Sequence, residues 1–453
     1  MNMFNHIQHI CFLGIGGIGM SALARYFLRR GAAVCGYDRT RSDLTEALQK
    51  EGAHVFYEDD PAMIPEGIDL GIYTPAIRKD NNCLSHMARH GIPVMKRAEV
   101  LGLLSRERPA IAIAGTHGKT TISCMLAHIM RQAGISTEAI LGGITVHDNT
   151  NYLWAADAAW LITEADEYDR SFLHLHPFMA AITAIDADHL DVYGTGDALF
   201  ESFAAFSQNI RQQGRLLIKA GLPHMGYSGT TLTYHMDRQA DYMAKSFSME
   251  ASECYLSVAG SLRLPPTRLG MPGRHNAENA LAAAALAHLA GVSPAAISAG
   301  LTSFKGVKRR FEVCFRSEQQ VYIDDYAHHP AEIQACVEAA RELFPDRKIT
   351  GVFQPHLYSR TRDLAEGFAS SLALLDALVM LDIYPAREEP IAGITAQWLL
   401  DRVPITNKQM ETTDSVVDMV TRLEPGVLIT MGAGSIDRLV GPIVEQFETR
   451  YTC

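Results

Sequence analysis

The chain has 453 residues, too many for one hydrophobic core, so two to four domains are expected. With 47% hydrophobic and 20% charged residues, its composition is that of a globular protein and excludes a mainly disordered one. A formal net charge of −11 gives no global pull toward nucleic acid or an anionic membrane surface, so any anionic ligand has to be held locally. The 8 cysteines are scattered without a CxxC pair, which fits a reducing compartment better than a disulfide framework or a zinc site. The N-terminus lacks a basic leader, and no apolar run approaches the roughly 20 residues of a membrane span. A cytoplasmic protein without membrane insertion or a nucleic-acid partner is expected.

Strand and helix patterns alternate along the chain in three α/β blocks, which argues for mainly parallel sheets. In the first block an apolar run at 7–13 enters a glycine loop, a helix follows over 20–29, and strands follow at 34–37 and 70–73. The polar stretch 105–109, ending in Pro109, marks a first boundary. The second block restarts with a strand at 110–114 that enters another glycine loop. Its strands at 160–163 and 180–185 both run into acidic residues. A β-rich stretch over 231–264 precedes Pro265 and Pro266, and 276–289, nearly all Ala and Leu, predicts a buried helix. A second boundary falls near 306–311, and the third block carries strands at 321–324, 349–353, 377–381 and 427–431. The domains expected are 1–107, 108–311 and 312–453.

Gly14, Ile15, Gly16, Gly17, Ile18 and Gly19 spell G-x-G-x-x-G between a strand and a helix. Glycines there let backbone amides approach a pyrophosphate, and the helix N-terminus adds partial positive charge. Asp38 closes the second strand, where a dinucleotide enzyme binds a ribose. The motif alone suits NAD, FAD or a nucleotide-sugar diphosphate, and a glycine turn that only packs helix on strand would read the same way.

Gly115, Thr116, His117, Gly118, Lys119, Thr120 and Thr121 form a shorter loop that resembles a P-loop. Its amides would cradle phosphates, Lys119 would reach the β/γ oxygens, and the Thr120 hydroxyl can ligate Mg²⁺. Glu164, Asp166 and Glu167 follow one strand, and Asp186, Asp188, His189 and Asp191 follow the next. Hard divalent ions beside phosphates favour oxygen donors with an occasional imidazole, so Glu164 and His189 are the candidate metal ligands with Thr120. Asp188 and Asp191 suit helix N-caps equally well. In the third block, polar residues gather after the strands at 321–324, 349–353 and 427–431, which suggests a substrate face.

In this order and spacing, A-G-T-H-G-K-T-T, E-A-D-E, D-H-L-D, G-R-H-N-A-E-N, R-R-F-E and D-D-Y-A-H-H-P resemble the Mur ligases over essentially the whole chain. The resemblance implies a Rossmann-like N-terminal domain that binds a UDP substrate, a central P-loop-type ATPase domain and a Rossmann-like C-terminal domain that binds an amino acid. It implies ATP with Mg²⁺ (or Mn²⁺), and joining of L-alanine to the lactyl carboxylate of UDP-N-acetylmuramate through an acyl phosphate. Gly14, Gly16, Gly17 and Gly19 would then hold the UDP diphosphate, which displaces the NAD reading of Asp38. Residues matching Lys119 and Thr120 bind phosphate and metal in the family, and those matching Glu164 and His189 bind metal. Asn276 and Asn279 match adenine-side asparagines, and Arg310 and Asp325 match nucleotide-binding residues of the hinge and C-terminal domain. Tyr326, His328, His356 and Arg360 match positions around the amino acid, with His328 placed to orient or deprotonate the amine.

Three residues depart from the usual pattern. Tyr168 stands where L-alanine-adding members carry Ser, and where tripeptide-adding members carry Tyr. The larger amine L-alanyl-γ-D-glutamyl-diaminopimelate is therefore the alternative. Leu357 replaces an Arg, which shifts amino-acid carboxylate recognition toward Arg360, and Ala327 replaces a Gly. No Lys occurs between Lys119 and Lys219, so the carbamylated lysine of several members is absent.

Overall fold

The computed structural model describes residues 4, 6–186, 193–250, 253–386, 388–420, 422 and 426–451. Short apolar runs bounded by glycines form its buried strands. β1 (His9–Leu13), β2 (Ala33–Tyr37), β3 (His54–Phe56), β4 (Leu70–Tyr73) and β5 (Val94–Lys96) pair in parallel in the order β3-β2-β1-β4-β5. The order reverses at β1, whose carboxyl end opens into the first glycine loop, where such sheets leave a ligand crevice. Sequence periodicity missed β3 and β5, which have 3 residues each, too few to show a pattern.

The second sheet contains β6 (Ala110–Ala114), β7 (Thr137–Ile140), β8 (Tyr152–Leu153), β9 (Trp160–Ala165), β10 (Met179–Ile182), β11 (Arg215–Lys219), β12 (Thr230–His235), β13 (Tyr242–Glu250), β14 (Glu253–Gly260) and β15 (Leu264–Leu269). Their order is β15-β14-β13-β12-β11-β10-β6-β9-β7-β8. β6 is buried along its whole length and pairs in parallel with both β9 and β10, so three strand ends open side by side. The β-rich stretch runs through Pro265 and Pro266 rather than ending before them. They lie on β15, at the edge of the sheet, where a missing N–H breaks no ladder on the open side. The helix Arg274–Leu289 is as buried as its composition predicts, with Ala280, Leu281, Ala284 and Ala287 fully enclosed.

β16 (Glu312–Arg316), β17 (Val321–Asp325), β18 (Ile349–Phe353), β19 (Ala377–Met380), β20 (Lys408–Met410) and β21 (Val427–Met431) form the third sheet in the order β16-β17-β21-β18-β19-β20. All its pairs are parallel except β16 with β17. Asp325, Met431 and Phe353 therefore end neighbouring strands in register.

The chain divides into two compact units. One comprises Met1–Ser246, Leu256–Arg268 and Glu278–Phe304, and the other Phe247–Tyr255, Leu269–Ala277 and Lys305–Cys453. Within the former unit, the polar stretch 105–109 begins at the end of the helix Arg97–Glu107 and leads into β6, with Ser105 buried and its hydroxyl donating to the Gly102 carbonyl at 2.7 Å. The first two sheets are joined through Glu138 of β7, whose side chain is fully buried. Its carboxylate accepts from Arg30 at 3.0 and 3.1 Å and from Arg108 at 2.7 Å, and also from the Tyr152 hydroxyl. Removing one member of a buried charge cluster leaves the others uncompensated. Glu138→Ala is expected to cost roughly 3 kcal/mol of stability, read as a lower urea midpoint, whereas a midpoint within error of the unmutated protein would show the cluster to be energetically idle.

Candidate phosphate and substrate sites

After β6 the chain turns through Gly115 at φ +127°, where an added Cβ would lie 2.1 Å from Thr183 Oγ1. Gly118, at φ +81°, caps the helix Lys119–Gln132, and a Cβ there would lie 2.5 Å from Asn279 Oδ1. Glycine is thus required at both ends of the loop by conformation and by space. The helix N-terminus directs unpaired amides at the hollow, which suits an anion. Lys119 folds back over the loop, its ammonium donating to the Gly115 carbonyl at 2.7 Å and to both oxygens of Glu167 at 2.7 Å. Burial opposes that charge, but Glu167, Asp166 and Glu164 outweigh it and hold the ammonium above its ordinary range.

Thr120 Oγ1 donates to Glu164 Oε2 at 3.1 Å. Ser123 Oγ and the Gly142 amide reach the other Glu164 oxygen at 3.3 and 2.7 Å. Two of the three expected metal ligands therefore meet, and a hydroxyl beside a carboxylate suits a hard cation. The third, His189, lies outside the described residues, as do Asp188 and Asp191. Among the described residues no group of 3 or more His, Cys, Asp or Glu side chains is arranged to hold a metal by itself. Thr116 Oγ1 accepts from the Asp186 amide at 3.2 Å, and His117 Nε2 lies 3.1 Å from Asp186 Oδ2, so the loop is tied to the end of β10. Thr121 is buried in the first helical turn.

At the first glycine loop, Asp38 braces the backbone. Its carboxylate accepts the Gly16 amide at 2.8 Å and the Thr40 amide at 3.0 Å. Gly14 is held by its amide on the Tyr37 carbonyl at 2.8 Å, and Gly17 caps the helix Ile18–Leu28. A Cβ on Gly19 would lie 2.8 Å from the Arg97 guanidinium. Arg97 in turn bonds Asp166 at 3.3 Å, and Lys96 pairs with Asp169 at 3.2 Å. Arg97, Glu164 and Asp166 line one recess. Sequence reasoning missed Glu167, Lys96 and Arg97. Glu167 was legible as part of an acidic run, but its partner was not, and the two cations follow the short β5. Tyr168 opens a turn in which Asp169 and Arg170 both take left-handed φ, +53° and +55°.

In the second unit, Asp325 accepts the Phe311 amide at 2.6 Å and the Ala327 amide at 2.7 Å. Burial outweighs these donors and the Arg310 charge and pushes its carboxyl up to about 7. Arg309 and Arg310 lie 5.3 and 5.2 Å from the Tyr326 ring, and Arg310 is 3.9 Å from Glu332. His328 Nδ1 faces the Tyr326 carbonyl at 3.0 Å and Glu332 at 3.3 Å. Burial lowers the His328 pKa, Glu332 opposes that, and the Arg360 charge reinforces it. His356 stacks on Tyr384 and lies 6.0 Å from the His328 ring. Tyr326, His328, His356 and Arg360 are thus gathered at one sheet edge, as Arg310 and Asp325 are. Leu357 takes φ +70°, held by its amide on the Tyr384 carbonyl at 3.0 Å. Asn276 donates to the Pro272 carbonyl at 2.7 Å, while Asn279 lies on the same helix beside Gly118.

Three family models match in series: the Mur ligase catalytic domain over residues 9–109, the Mur ligase middle domain over 113–287 and the Mur ligase glutamate ligase domain over 309–434. The UDP-N-acetylmuramate–L-alanine ligase of Parabacteroides distasonis is 45% identical over 450 residues, 97% of each chain. The chain belongs to the Mur ligase family. The enzyme of the same name from Cytophaga hutchinsonii is also 45% identical, covering 100% of this chain and 99% of its own. Among solved structures, the UDP-N-acetylmuramate–alanine ligase of Thermotoga maritima superposes with a TM-score of 0.85 at 28% identity, over 98% of this chain and 100% of its own. A murein peptide ligase from Psychrobacter arcticus shares the fold, with a TM-score of 0.69 at 24% identity over 97% and 98% of the two chains.

The raised Asp325 pKa sets a pH dependence for this Mur ligase. A carboxyl whose folded pKa lies above its ordinary 3.8 contributes stability that is complete below 3.8 and is lost as pH rises through about 7. Asp325→Asn should flatten that part of the thermal-unfolding profile, and an unchanged slope between these limits would assign it to other groups.

Proposed function

We propose that this Mur ligase joins L-alanine to the lactyl carboxylate of UDP-N-acetylmuramate with ATP, giving ADP and phosphate, as a step of peptidoglycan precursor synthesis. The observation that carries the reading is full-length identity of 41–45% to curated relatives that bear this activity in their names. It is joined to a phosphate loop whose lysine is held among carboxylates.

Amide formation from a carboxylate in water is uphill, so the carboxylate needs a leaving group. A lactyl oxygen attacks the γ-phosphorus, ADP departs, and an acyl phosphate forms. The L-alanine amine then attacks the acyl carbon, loses a proton, and phosphate leaves. In this reading residues 1–107 bind the UDP moiety, 108–311 bind ATP, and 312–453 bind the amino acid. Gly14, Gly16, Gly17 and Gly19 let the loop and the helix N-terminus that follows it approach the diphosphate, and Asp38, on the Gly16 amide, keeps that loop in shape. Lys119 and the loop from Gly115 to Thr121 hold the triphosphate, Asn276 and Asn279 are assigned to the adenine, and Arg310 and Asp325 are assigned to the nucleotide. Thr120 and Glu164, with His189, would hold Mg²⁺ or Mn²⁺, which neutralises phosphate charge when bound.

His328 suits the amine. Its lowered pKa keeps it a neutral base, and the Tyr326 carbonyl orients Nδ1. Tyr326, His356 and Arg360 surround the amino acid, and with Leu357 in place of a cation Arg360 carries most of the carboxylate recognition. The cytoplasm supplies ATP and UDP-linked precursors, and no helix of the described residues is long and apolar enough to cross a membrane.

Tyr168 favours one rival, the same chemistry with L-alanyl-γ-D-glutamyl-diaminopimelate as the amine. Phosphate release by the purified protein with Mg²⁺-ATP and UDP-N-acetylmuramate separates the two. Release that requires L-alanine is expected, and release only with the tripeptide would move the chain to the rival. Lys119→Ala should lower ADP formation by at least about a hundredfold, since it removes the cation at the charge-bearing oxygens. Near-normal turnover in that variant would overturn the phosphate role.

A further inference from the structure

We infer that Asn151 is a positioning residue that sets the span between the UDP-binding loop and the ATP-cleaving loop, an inference that rests on the proposed ligation. The two reactants sit on different sheets of the first unit, yet an in-line attack needs the reacting oxygen and phosphorus about 3–3.5 Å apart. Something has to hold the two loops to that tolerance. Asn151 is fully buried at the foot of β8, in the second sheet, and its side chain is spent entirely on the first. Its amide donates to the Ile18 carbonyl at 2.6 Å and to Ser21 Oγ at 2.9 Å, and its oxygen accepts from Arg25. Ile18 lies inside the glycine loop and opens the helix whose N-terminus faces the diphosphate site. Ser21 closes the arrangement by donating to the same Ile18 carbonyl at 2.9 Å. Arg25 is itself fixed by a two-pronged contact with Glu51, at 2.8 to 3.0 Å.

The other end of the link is the backbone of the same residue. The Asn151 carbonyl accepts the Leu141 amide at 2.9 Å, and the next amide, Gly142, donates to Glu164 at 2.7 Å. Glu164 then meets Thr120 at 3.1 Å. One buried side chain thus connects the diphosphate loop to the phosphate loop through the turn after β7. The Glu138 cluster clamps the same β7–β8 pair against Arg30 but reaches neither loop, so it supplies adhesion and Asn151 supplies register.

A residue that sets register leaves each ligand's own binding surface intact. Asn151→Ala should therefore keep the separate dissociation constants for Mg²⁺-ATP and UDP-N-acetylmuramate within about threefold of the unmutated protein. The single-turnover rate of ADP formation with both saturating should fall about tenfold or more. Ser21→Ala, which removes one bond of the set, should show a smaller loss of the same kind. If Asn151→Ala does not fold, Asn151→Asp decides. It keeps the shape and the acceptor for Arg25 but gives up the donor to Ile18, and the same split is expected. A saturated rate equal to that of the unmutated protein would overturn the inference, as would a loss confined to UDP-N-acetylmuramate affinity. Absence of ADP formation in the unmutated protein would instead overturn the proposed ligation.

Discussion

The ion pair between Lys119 and Glu167 is the interaction on which the proposed phosphate site depends. Glu167 is buried, and the lysine reaches it by crossing its own loop to the Gly115 carbonyl. A buried pair of this kind contributes little net stability, because desolvation offsets most of the attraction. What it provides is a cation stationed at the loop, whose contacts with Glu167 and the Gly115 carbonyl would be exchanged for phosphate oxygens when a triphosphate binds. The same acids that hold the lysine also set a condition on the ligand. Glu164, Asp166 and Glu167 face Lys119 and Arg97, so the local balance is acidic, and a triphosphate entering it gains from a divalent cation to carry the surplus. The hydroxyl and carboxylate that meet at Thr120 and Glu164 are hard donors of the kind that would suit such an ion.

Parallel pairing does the rest of the placement. Because β9, β6 and β10 run the same way, their carboxyl ends deliver the acids, the phosphate loop and Asp186 to one edge. The third sheet repeats the device with β17, β21 and β18, which bring Asp325, the Gly432 turn and His356 together. Each edge is polar because a strand end must surrender its ladder, and the side chains that replace it become available for chemistry.

Much of this was legible in the sequence for a physical reason. A glycine loop between a strand and a helix marks a candidate anion site, and the order Gly118, Lys119, Thr120 places its candidate groups in adjacent residues. Strand ends were legible only to within about two residues, because β9 runs on through Glu164 to Ala165 and β17 through Asp324 to Asp325. What was not legible is pairing across distance. Nothing in the sequence near Asn151 says that its side chain serves Ile18, or that Lys119 would choose Glu167 over its neighbours in the acidic run. β15 misled because prolines mark a break in most strands but not on an edge.

The most direct test of the account follows the carboxylate oxygen. UDP-N-acetylmuramate labelled with ¹⁸O in its lactyl carboxylate would be turned over with Mg²⁺-ATP and L-alanine, and the released phosphate analysed by mass. If the carboxylate attacks the γ-phosphorus at the Lys119 site, one labelled oxygen passes into each phosphate, with the nucleotide recovered as unlabelled ADP. Phosphate without label would mean that water, not the substrate, takes the phosphoryl group, and would contradict the account.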